Sequence, residues 1–149
     1  MSSSFEVWEE RAKLAKIFRF IGQRLEVLES GVCRIILPFQ NQFEQTFGVV
    51  HGGILTLIAD TAGYFAAATV NGDTPLATAE IKMNFISPVY RKDLYAIGSV
   101  VKKGRNITTC ELKVYTVEQD KLVALGIATY ARVQQEDKRM VERGSGVGI

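Results

Sequence analysis

The stretch that decides the fold is VVHGGILTLIADTAGYFAAATV, residues 49–70. It holds the only histidine of the chain, His51, followed by a glycine pair and a nearly unbroken apolar run. One carboxylate, Asp60, interrupts that run. Because an ionised carboxylate is costly to bury without partners, Asp60 requires a dedicated environment. The stretch predicts an apolar helix from about residue 53 to residue 70 that buries one functional acid.

The apolar run also has nearly the length of a bilayer-spanning helix, which needs about 20 residues. In such a span Asp60 would lie near the middle, where an ionisable group is costly, and no basic belt or aromatic girdle flanks the run. We therefore interpret it as the buried central helix of a soluble domain, with no membrane partner.

Length, charge and cysteine usage narrow the class of protein. A chain of 149 residues fits one domain, and 18 Lys plus Arg against 16 Asp plus Glu predicts no nucleic-acid partner. Cys33 and Cys110 stand in no metal-ligand spacing, so we expect two buried or idle thiols and no structural metal. The first residues are polar and mixed in charge, unlike a signal peptide, so the expected location is cytoplasmic.

The rest of the chain reads mainly as strands. Residues 1–134 are predicted to form one domain, and residues 135–149 a polar, flexible tail. The segment SFEVWEERAKLAKIF predicts one helix, and LEVLESGVCRIILPF predicts a strand pair that turns at residues 29–31. The helix would present one apolar face, formed by Phe5, Trp8, Leu14 and Phe18.

After the apolar helix, the segment ATAEIKMNFISPV alternates apolar and polar residues. The alternation places Thr78 on the polar face of this strand. The opposite face is apolar and consists of Ala77, Ala79, Ile81, Met83 and Phe85. Three further strands follow with the rhythm of an antiparallel meander. These elements predict an α+β domain in which one antiparallel sheet wraps around one long central helix.

The glycine pair, Gly52 and Gly53, places a helix N-terminus where no side chain obstructs a ligand. The N–H groups of a first helical turn lack intrahelical partners, and the helix dipole adds positive charge there. A thioester carbonyl oxygen could therefore accept from the Gly53 amide. Asp60 is the nearby carboxylate that could act as base or nucleophile. The Gly53 amide and Asp60 together outline an acyl-transfer site.

The residues FGVVHGG, an aspartate seven positions after the second glycine, and the later TAEIKMNFISPV resemble the acyl-CoA thioesterases of the hotdog-fold superfamily. The resemblance is to the PaaI-like branch, which includes phenylacetyl-CoA thioesterases, and it covers roughly residues 18–133. It implies a hotdog fold and hydrolysis of an acyl-CoA thioester to a carboxylic acid and free CoA. It implies no metal or redox cofactor.

The resemblance also implies roles for individual residues. Asp60 acts as nucleophile or general base, and the Gly53 amide polarises the thioester carbonyl. Gln45 holds the water or the thioester, and Thr78 orients the attacking water. His51 mainly fixes the turn into the helix, and direct proton transfer by it is the less favoured alternative.

Two interpretations of the basic segment KKGRN stay open. Lys102, Lys103 and Arg105, with Asn106 beside them, form either a solvated hairpin turn or a contact for the phosphates of CoA. The sequence does not show which acyl group the substrate carries. The aromatic side chains near the helix either line an acyl channel or belong to the core, namely Phe43, Phe47, Tyr64 and Phe65.

Two alternative functions belong to other classes. A non-catalytic acyl-CoA binding module would keep the pocket and the basic turn but would lack the acid, so the presence of Asp60 argues against it. A hydratase or dehydratase of enoyl thioesters on the same fold would need a different motif with a catalytic histidine and a nearby acid, and this sequence lacks that motif.

The spacing of Gly53 and Asp60 has a geometric consequence. Seven residues along a helix amount to about 10 Å, which is a long reach for two groups that must both lie within about 3 Å of one thioester. Two copies with antiparallel central helices would solve this, with Gly53 and Gln45 from one chain and Asp60 and Thr78 from the other. The resemblance implies the same homodimer with shared active sites, assembled further into a tetramer.

Overall fold

The computed structural model describes residues 5–134. The helices are α1 (Glu6–Ala12), α2 (Lys16–Phe20) and the long α3 (Gly52–Asn71), with one 3-10 turn at Asn41–Phe43. The strands are β1 (Arg24–Glu29), β2 (Val32–Leu37), β3 (Leu76–Phe85), β4 (Leu94–Lys103), β5 (Ile107–Thr116) and β6 (Leu122–Arg132). The predicted apolar helix and the predicted strand pair are both present.

The six strands form one antiparallel sheet in the order β1-β2-β4-β5-β6-β3. Helix α3 packs against β2, β3, β4, β5 and β6. Strand β3 lies at an edge, where it pairs with β6 on one side. The prediction of an antiparallel sheet wrapped around one long helix is therefore confirmed.

Two glycines allow the helix to sit close to the sheet. A Cβ on Gly98 of β4 would lie 2.4 Å from the backbone carbonyl carbon of Ala62, and one on Gly63 of α3 would lie 2.3 Å from the hydroxyl oxygen of Tyr130. A side chain at either position would push the helix and the sheet apart. Because these side chains are missing, the middle of α3, which includes Asp60, packs close to the strands.

One stripe of α3 is left uncovered by the sheet of its own chain. The buried residues of the helix include Leu55, Ile58, Ala59 and Ala62. The partly or fully exposed residues recur every three or four positions, as Gly53, Thr56, Leu57, Asp60, Thr61 and Tyr64. Asp60 is therefore half-buried, on a stripe of α3 that the sheet of its own chain leaves open. An acid is tolerated in this apolar helix because it does not face the core.

By length and composition alone, α3 could cross a membrane, and it is the one such helix in residues 5–134. Half of its apolar window is buried inside the domain, as in the core helix of a folded α+β unit. The sheet that packs against α3 accounts for the apolar character of the buried side of this helix.

The N-terminal segment forms two short helices, so the prediction of one continuous helix is wrong. The chain leaves the helical conformation at Ala15, which has ψ 120°. Ala12 is fully buried and Phe18 is 4% exposed, whereas Leu14 is 78% exposed. On one straight helix, residues six positions apart point about 120° away from each other. The break allows both Ala12 and Phe18 to reach the core and leaves Leu14 in solvent.

A β-bulge changes which residues of β3 face the helix. Thr78 pairs with Tyr130, and Glu80 pairs with Thr129, so Ala79 is the extra residue on this strand. A single extra residue reverses the alternation from that point onward.

The predicted apolar face of β3 is therefore correct only beyond the bulge. Before it, Leu76 and Thr78 take the side that Ile81 takes after it, whereas Ala77 is exposed. The assignment of Ala77 and Ala79 to that face is wrong. The assignment of Thr78 to the opposite, polar face is wrong for the same reason.

The two cysteines are buried and unbridged, as predicted. Burial raises the pKa of each thiol to about 12, so neither is a reactive thiolate near neutral pH. The predicted tail, residues 135–149, lies outside the described residues.

Candidate active site

Thr78 and Asp60 are directly joined. The hydroxyl of Thr78 donates to Oδ1 of Asp60 at 2.8 Å, from strand β3 to helix α3. The bulge at Ala79 makes this contact possible because it turns Thr78 toward the helix. One oxygen of the carboxylate is thereby held in place, and the other is left to accept a proton.

A cavity of about 270 Å³ lies beside this pair. Helix α3 contributes Asp60 and the aromatic side chains Tyr64 and Phe65 to its wall. The other lining residues are Ala15, Ile17, Phe18, Gln23, Thr61 and Thr78. The cavity is thus mostly apolar, with a carboxylate in its wall, as suits an acyl group next to a reacting centre.

Tyr130 holds the backbone of the same helical turn. Its hydroxyl donates to the carbonyl oxygen of Asp60 at 2.8 Å, and the residue is fully buried. Burial raises the pKa of Tyr130, and the negative charge of Asp60 raises it further. Tyr130 therefore remains a protonated donor. Sequence reasoning missed this residue, because one tyrosine in an apolar strand gives no signal of its contact.

The helix N-terminus is capped by His51. Its Nδ1 accepts from the backbone N–H of Gly53 at 2.8 Å, so Nδ1 carries no proton. The Gly53 N–H, predicted to polarise the thioester carbonyl, is thus engaged within its own chain. The Gly52 N–H makes no hydrogen bond within residues 5–134. Of the two amides, that of Gly52 is the one free to take a ligand in this conformation.

Gln45 and Gly52 lie together at a second cavity, of about 280 Å³. The Oε1 atom of Gln45 accepts from the backbone N–H of Phe47. The backbone N–H of Gln45 donates to the carbonyl oxygen of Val49 at 2.7 Å. These contacts hold the loop that leads into α3. The other lining residues are Val49, Val50, Leu55, Phe85, Ile86, Ser87, Pro88 and Val89.

The two cavities share no lining residue. The structure brings Thr78 to Asp60 and Gln45 to Gly52, but it does not bring the two pairs together. Gly52 and Asp60 are eight residues apart, which is about 12 Å along the helix axis. A single chain therefore presents two separate halves of the predicted site.

The basic turn between β4 and β5 lies at the far end of α3. Nδ2 of Asn71, the last residue of the helix, donates to Oγ1 of Thr108 at 2.9 Å, just after this turn. Lys102, Lys103, Arg105 and Asn106 are exposed. Within residues 5–134, no ion pair uses the three cations. Measured along the helix axis, the turn lies about 30 Å from Gly52 of the same chain.

Gln23 is a site residue that sequence reasoning did not identify. It precedes β1 and lines the cavity beside Asp60. It is 8% exposed, and its Oε1 is buried without a hydrogen-bond partner among residues 5–134. A lone glutamine after a glycine gives no periodic or motif signal, so only the folded chain reveals it.

A comparison with protein families matches residues 47–123 to the thioesterase superfamily. The chain belongs to this superfamily. The match begins just before the glycine pair and includes Asp60 and Thr78.

Relatives of known sequence agree with this family. A Saccharolobus solfataricus protein named "Putative esterase" is 33% identical over 114 residues, which cover 76% of this chain and 81% of the relative. The 1,4-dihydroxy-2-naphthoyl-CoA hydrolase of Listeria monocytogenes is 26% identical over 112 residues, which cover 74% of this chain and 90% of that protein.

Solved structures share the fold. The PaaI protein of E. coli, from the phenylacetic acid degradation operon, has a TM-score of 0.79 at 21% identity, covering 89% of this chain and 97% of that one. A thioesterase from Haemophilus influenzae has a TM-score of 0.78 at 21% identity, covering 90% and 93%. The hotdog fold and the PaaI-like architecture are thus confirmed.

Proposed function

We propose that the protein hydrolyses an acyl-CoA thioester to a carboxylic acid and free CoA. The observation that carries the proposal is the 2.8 Å hydrogen bond from Thr78 to Asp60 at the wall of a mostly apolar cavity. Membership of the thioesterase superfamily supports the reaction type. One of the relatives is named as a CoA thioester hydrolase, which supports the CoA leaving group.

Asp60 acts through the oxygen that Thr78 does not hold. As a general base it removes a proton from water, whose oxygen then forms a bond to the thioester carbon. The carbon–sulfur bond breaks, and the thiolate of CoA leaves and takes up a proton. As a nucleophile, the carboxylate would attack the same carbon directly and form an anhydride that water then opens. Both versions need an ionised Asp60.

The donor to the developing oxyanion comes from a helix N-terminus. Gly52 offers an N–H that is free of hydrogen bonds within residues 5–134, whereas the Gly53 N–H can serve only after His51 releases it. Gln45 lines the same cavity as Gly52 and can hold the thioester or the water. This amends the sequence-based assignment of Gly53 alone.

The complete site forms between two copies of the chain. If the open stripes of two α3 helices meet antiparallel about a two-fold axis near Thr56, Gly52 of one chain comes beside Asp60 of the other. The separation of the two cavities within one chain supports this arrangement, as does the exposed stripe that would become the contact. The dimer would assemble further into a tetramer.

In this dimer the basic turn would lie near the same site. It lies beyond the C-terminal end of α3, and in the antiparallel pair this end extends past the partner helix's N-terminus. A CoA that leaves the thioester in that direction would bring its phosphates toward Lys102, Lys103 and Arg105. The unpaired state of these cations in the described part of the chain supports the contact.

The test is the release of free thiol from a panel of acyl-CoAs, followed with a thiol reagent. We expect release from at least one member of the panel. Binding without any release would support the non-catalytic module, and a change at an enoyl double bond without release would support a hydratase. A cytoplasmic location, where acyl-CoAs are made and used, goes with the proposal.

A further inference from the structure

We propose that the N-terminal segment around α2 docks the protein on the surface of an anionic lipid bilayer. The docking surface, here called the α2 patch, consists of the exposed side chains Leu14, Lys16, Ile17, Arg19 and Phe20. The protein lies on the bilayer and does not cross it. This amends the sequence-based expectation of no membrane partner, which rested on the case against a membrane-spanning helix.

The apolar side chains of the α2 patch lie in solvent. Leu14 is 78% exposed, Ile17 is 54% exposed and Phe20 is 81% exposed. The break at Ala15 leaves Leu14 outside the core. Ile17 and Phe20 follow three positions apart, on one face of α2. Single exposed apolar side chains are common, but three within seven residues indicate an interaction surface.

The charge around these side chains is of one sign. Residues 11–25 contain five Lys or Arg and neither Asp nor Glu. Lys16 and Arg19 form no ion pair within residues 5–134. Lys13 pairs with Glu10 at 2.8 Å, but both side chains are mostly exposed, and such surface pairs are weak. The α2 patch therefore offers cations to a negatively charged partner.

An anionic bilayer matches both properties of the α2 patch. Apolar side chains of an interfacial helix enter the boundary between headgroups and acyl chains, while Lys and Arg keep their charged ends at the level of the lipid phosphates. Each basic residue near the surface adds to the attraction. Because α2 has five residues, the contact is a reversible one rather than a permanent anchor.

A second copy of the chain matches the α2 patch less well. In a two-fold contact the same surface meets itself, so Lys16 and Arg19 of one chain would face the same cations of the other. Like charges placed opposite each other across an interface repel. The proposed dimer also uses a different surface, the open stripe of α3.

Exposed apolar side chains on the sheet stand among charges of both signs. Ile127 of β6 is 56% exposed, and it pairs with Lys82 of β3 and with Glu111 of β5. A surface of this kind has no preference for an anionic partner. Ile127 therefore supplies a control for the α2 patch.

The α2 patch borders the cavity beside Asp60, because Ile17 lines that cavity. On a docked molecule one wall of the cavity lies close to the lipid surface. Docking and catalysis are nevertheless separate claims, since binding to vesicles requires no turnover.

The experiment is co-sedimentation of the full-length protein with extruded vesicles. One set contains phosphatidylcholine alone, and the other contains about one-third phosphatidylglycerol in phosphatidylcholine. We expect the partition coefficient of wild-type protein to be about 10-fold or more higher on the anionic vesicles. The difference should largely disappear at about 0.5 M NaCl, which screens the charges.

Variants separate the two parts of the α2 patch. Leu14→Gln combined with Phe20→Gln should lower the partition coefficient on anionic vesicles by about 10-fold or more, because the inserted apolar area is lost. Lys16→Gln combined with Arg19→Gln should remove most of the preference for anionic over neutral vesicles. Ile127→Gln, the matched control, should bind like wild type. All these side chains are exposed, so the melting temperatures should stay close to that of wild type.

Equal partition of wild-type protein on both kinds of vesicle would overturn the inference, as would a loss in Ile127→Gln as large as in the Leu14 and Phe20 double variant. A lower oligomeric mass of that double variant, measured by light scattering, would instead assign the α2 patch to a contact between copies. Failure of the proposed thioesterase function is observed separately, as the absence of thiol release from every acyl-CoA.

Discussion

The hydroxyl of Thr78 lies 2.8 Å from Oδ1 of Asp60, and this contact joins an edge strand to the middle of the core helix. We expect it to fix the rotamer of the carboxylate. Thr78→Val, which keeps the shape and removes the donor, should lower kcat by about 10-fold or more, because a hydrogen bond to a charged group contributes about 1.5–3 kcal/mol. KM should change little.

Thr78→Ser restores the hydroxyl and is the matched control, expected to keep most of the activity. Steady-state kinetics on one good thioester measures both variants. If Thr78→Val and Thr78→Ser lose activity equally, the role of Thr78 is packing rather than orientation of the carboxylate.

His51 is predicted to act as a helix cap. His51→Ala removes the acceptor for the Gly53 N–H and should lower the free energy of unfolding by about 1 kcal/mol, measured by urea denaturation. His51→Asn supplies another good capping side chain and should retain both stability and kcat. A folded, stable His51→Asn protein that has lost its activity would instead assign His51 to proton transfer.

The basic turn is predicted to bind the phosphates of CoA. Replacing Lys102, Lys103 and Arg105 together by glutamine should raise KM for acyl-CoA by about 10-fold or more, because charge-assisted hydrogen bonds to phosphate are lost. KM for a truncated thioester without the nucleotide should stay constant. Lys121→Gln, at the exposed turn between β5 and β6, is the control. Equal changes in KM for both substrates would show that the turn is solvated and does not bind the phosphates.

The sequence was sufficient for the elements whose signals are local. The apolar run after a glycine pair predicts α3, and the alternation predicts the strands, because each depends on side chains next to one another in the chain. Asp60 stood out for the same reason. The motif FGVVHGG added the family, which composition and periodicity alone do not supply.

What the sequence could not supply depends on contacts between distant residues. The bulge at Ala79 places Thr78 on the side of β3 opposite to the predicted one, and the alternating sequence pattern does not indicate this bulge. The break at Ala15 is set by where Phe18 must pack. Gln23 is unremarkable until the fold buries its amide, and the capture of the Gly53 N–H by His51 is a matter of local geometry at the cap.

The shared site is tested by mixing chains. Asp60→Ala and Gln45→Ala chains should each be much slower than wild type, and their mixture should recover activity. A mixed dimer would hold one site with both changes and one intact site, so random exchange should restore about a quarter of wild-type activity. If exchange is verified, for instance by mass spectrometry of tagged chains, and no activity returns, each site lies within a single chain.

The most direct measurement for the central claim is thiol release by Asp60→Asn. Asparagine keeps the shape and can still accept from Thr78, but it is neither a base nor a nucleophile. We predict that kcat falls by at least about 100-fold while the circular dichroism spectrum, the melting temperature and CoA binding stay close to those of wild type. Turnover by Asp60→Asn at the wild-type rate would contradict the assignment of Asp60 as the catalytic carboxylate.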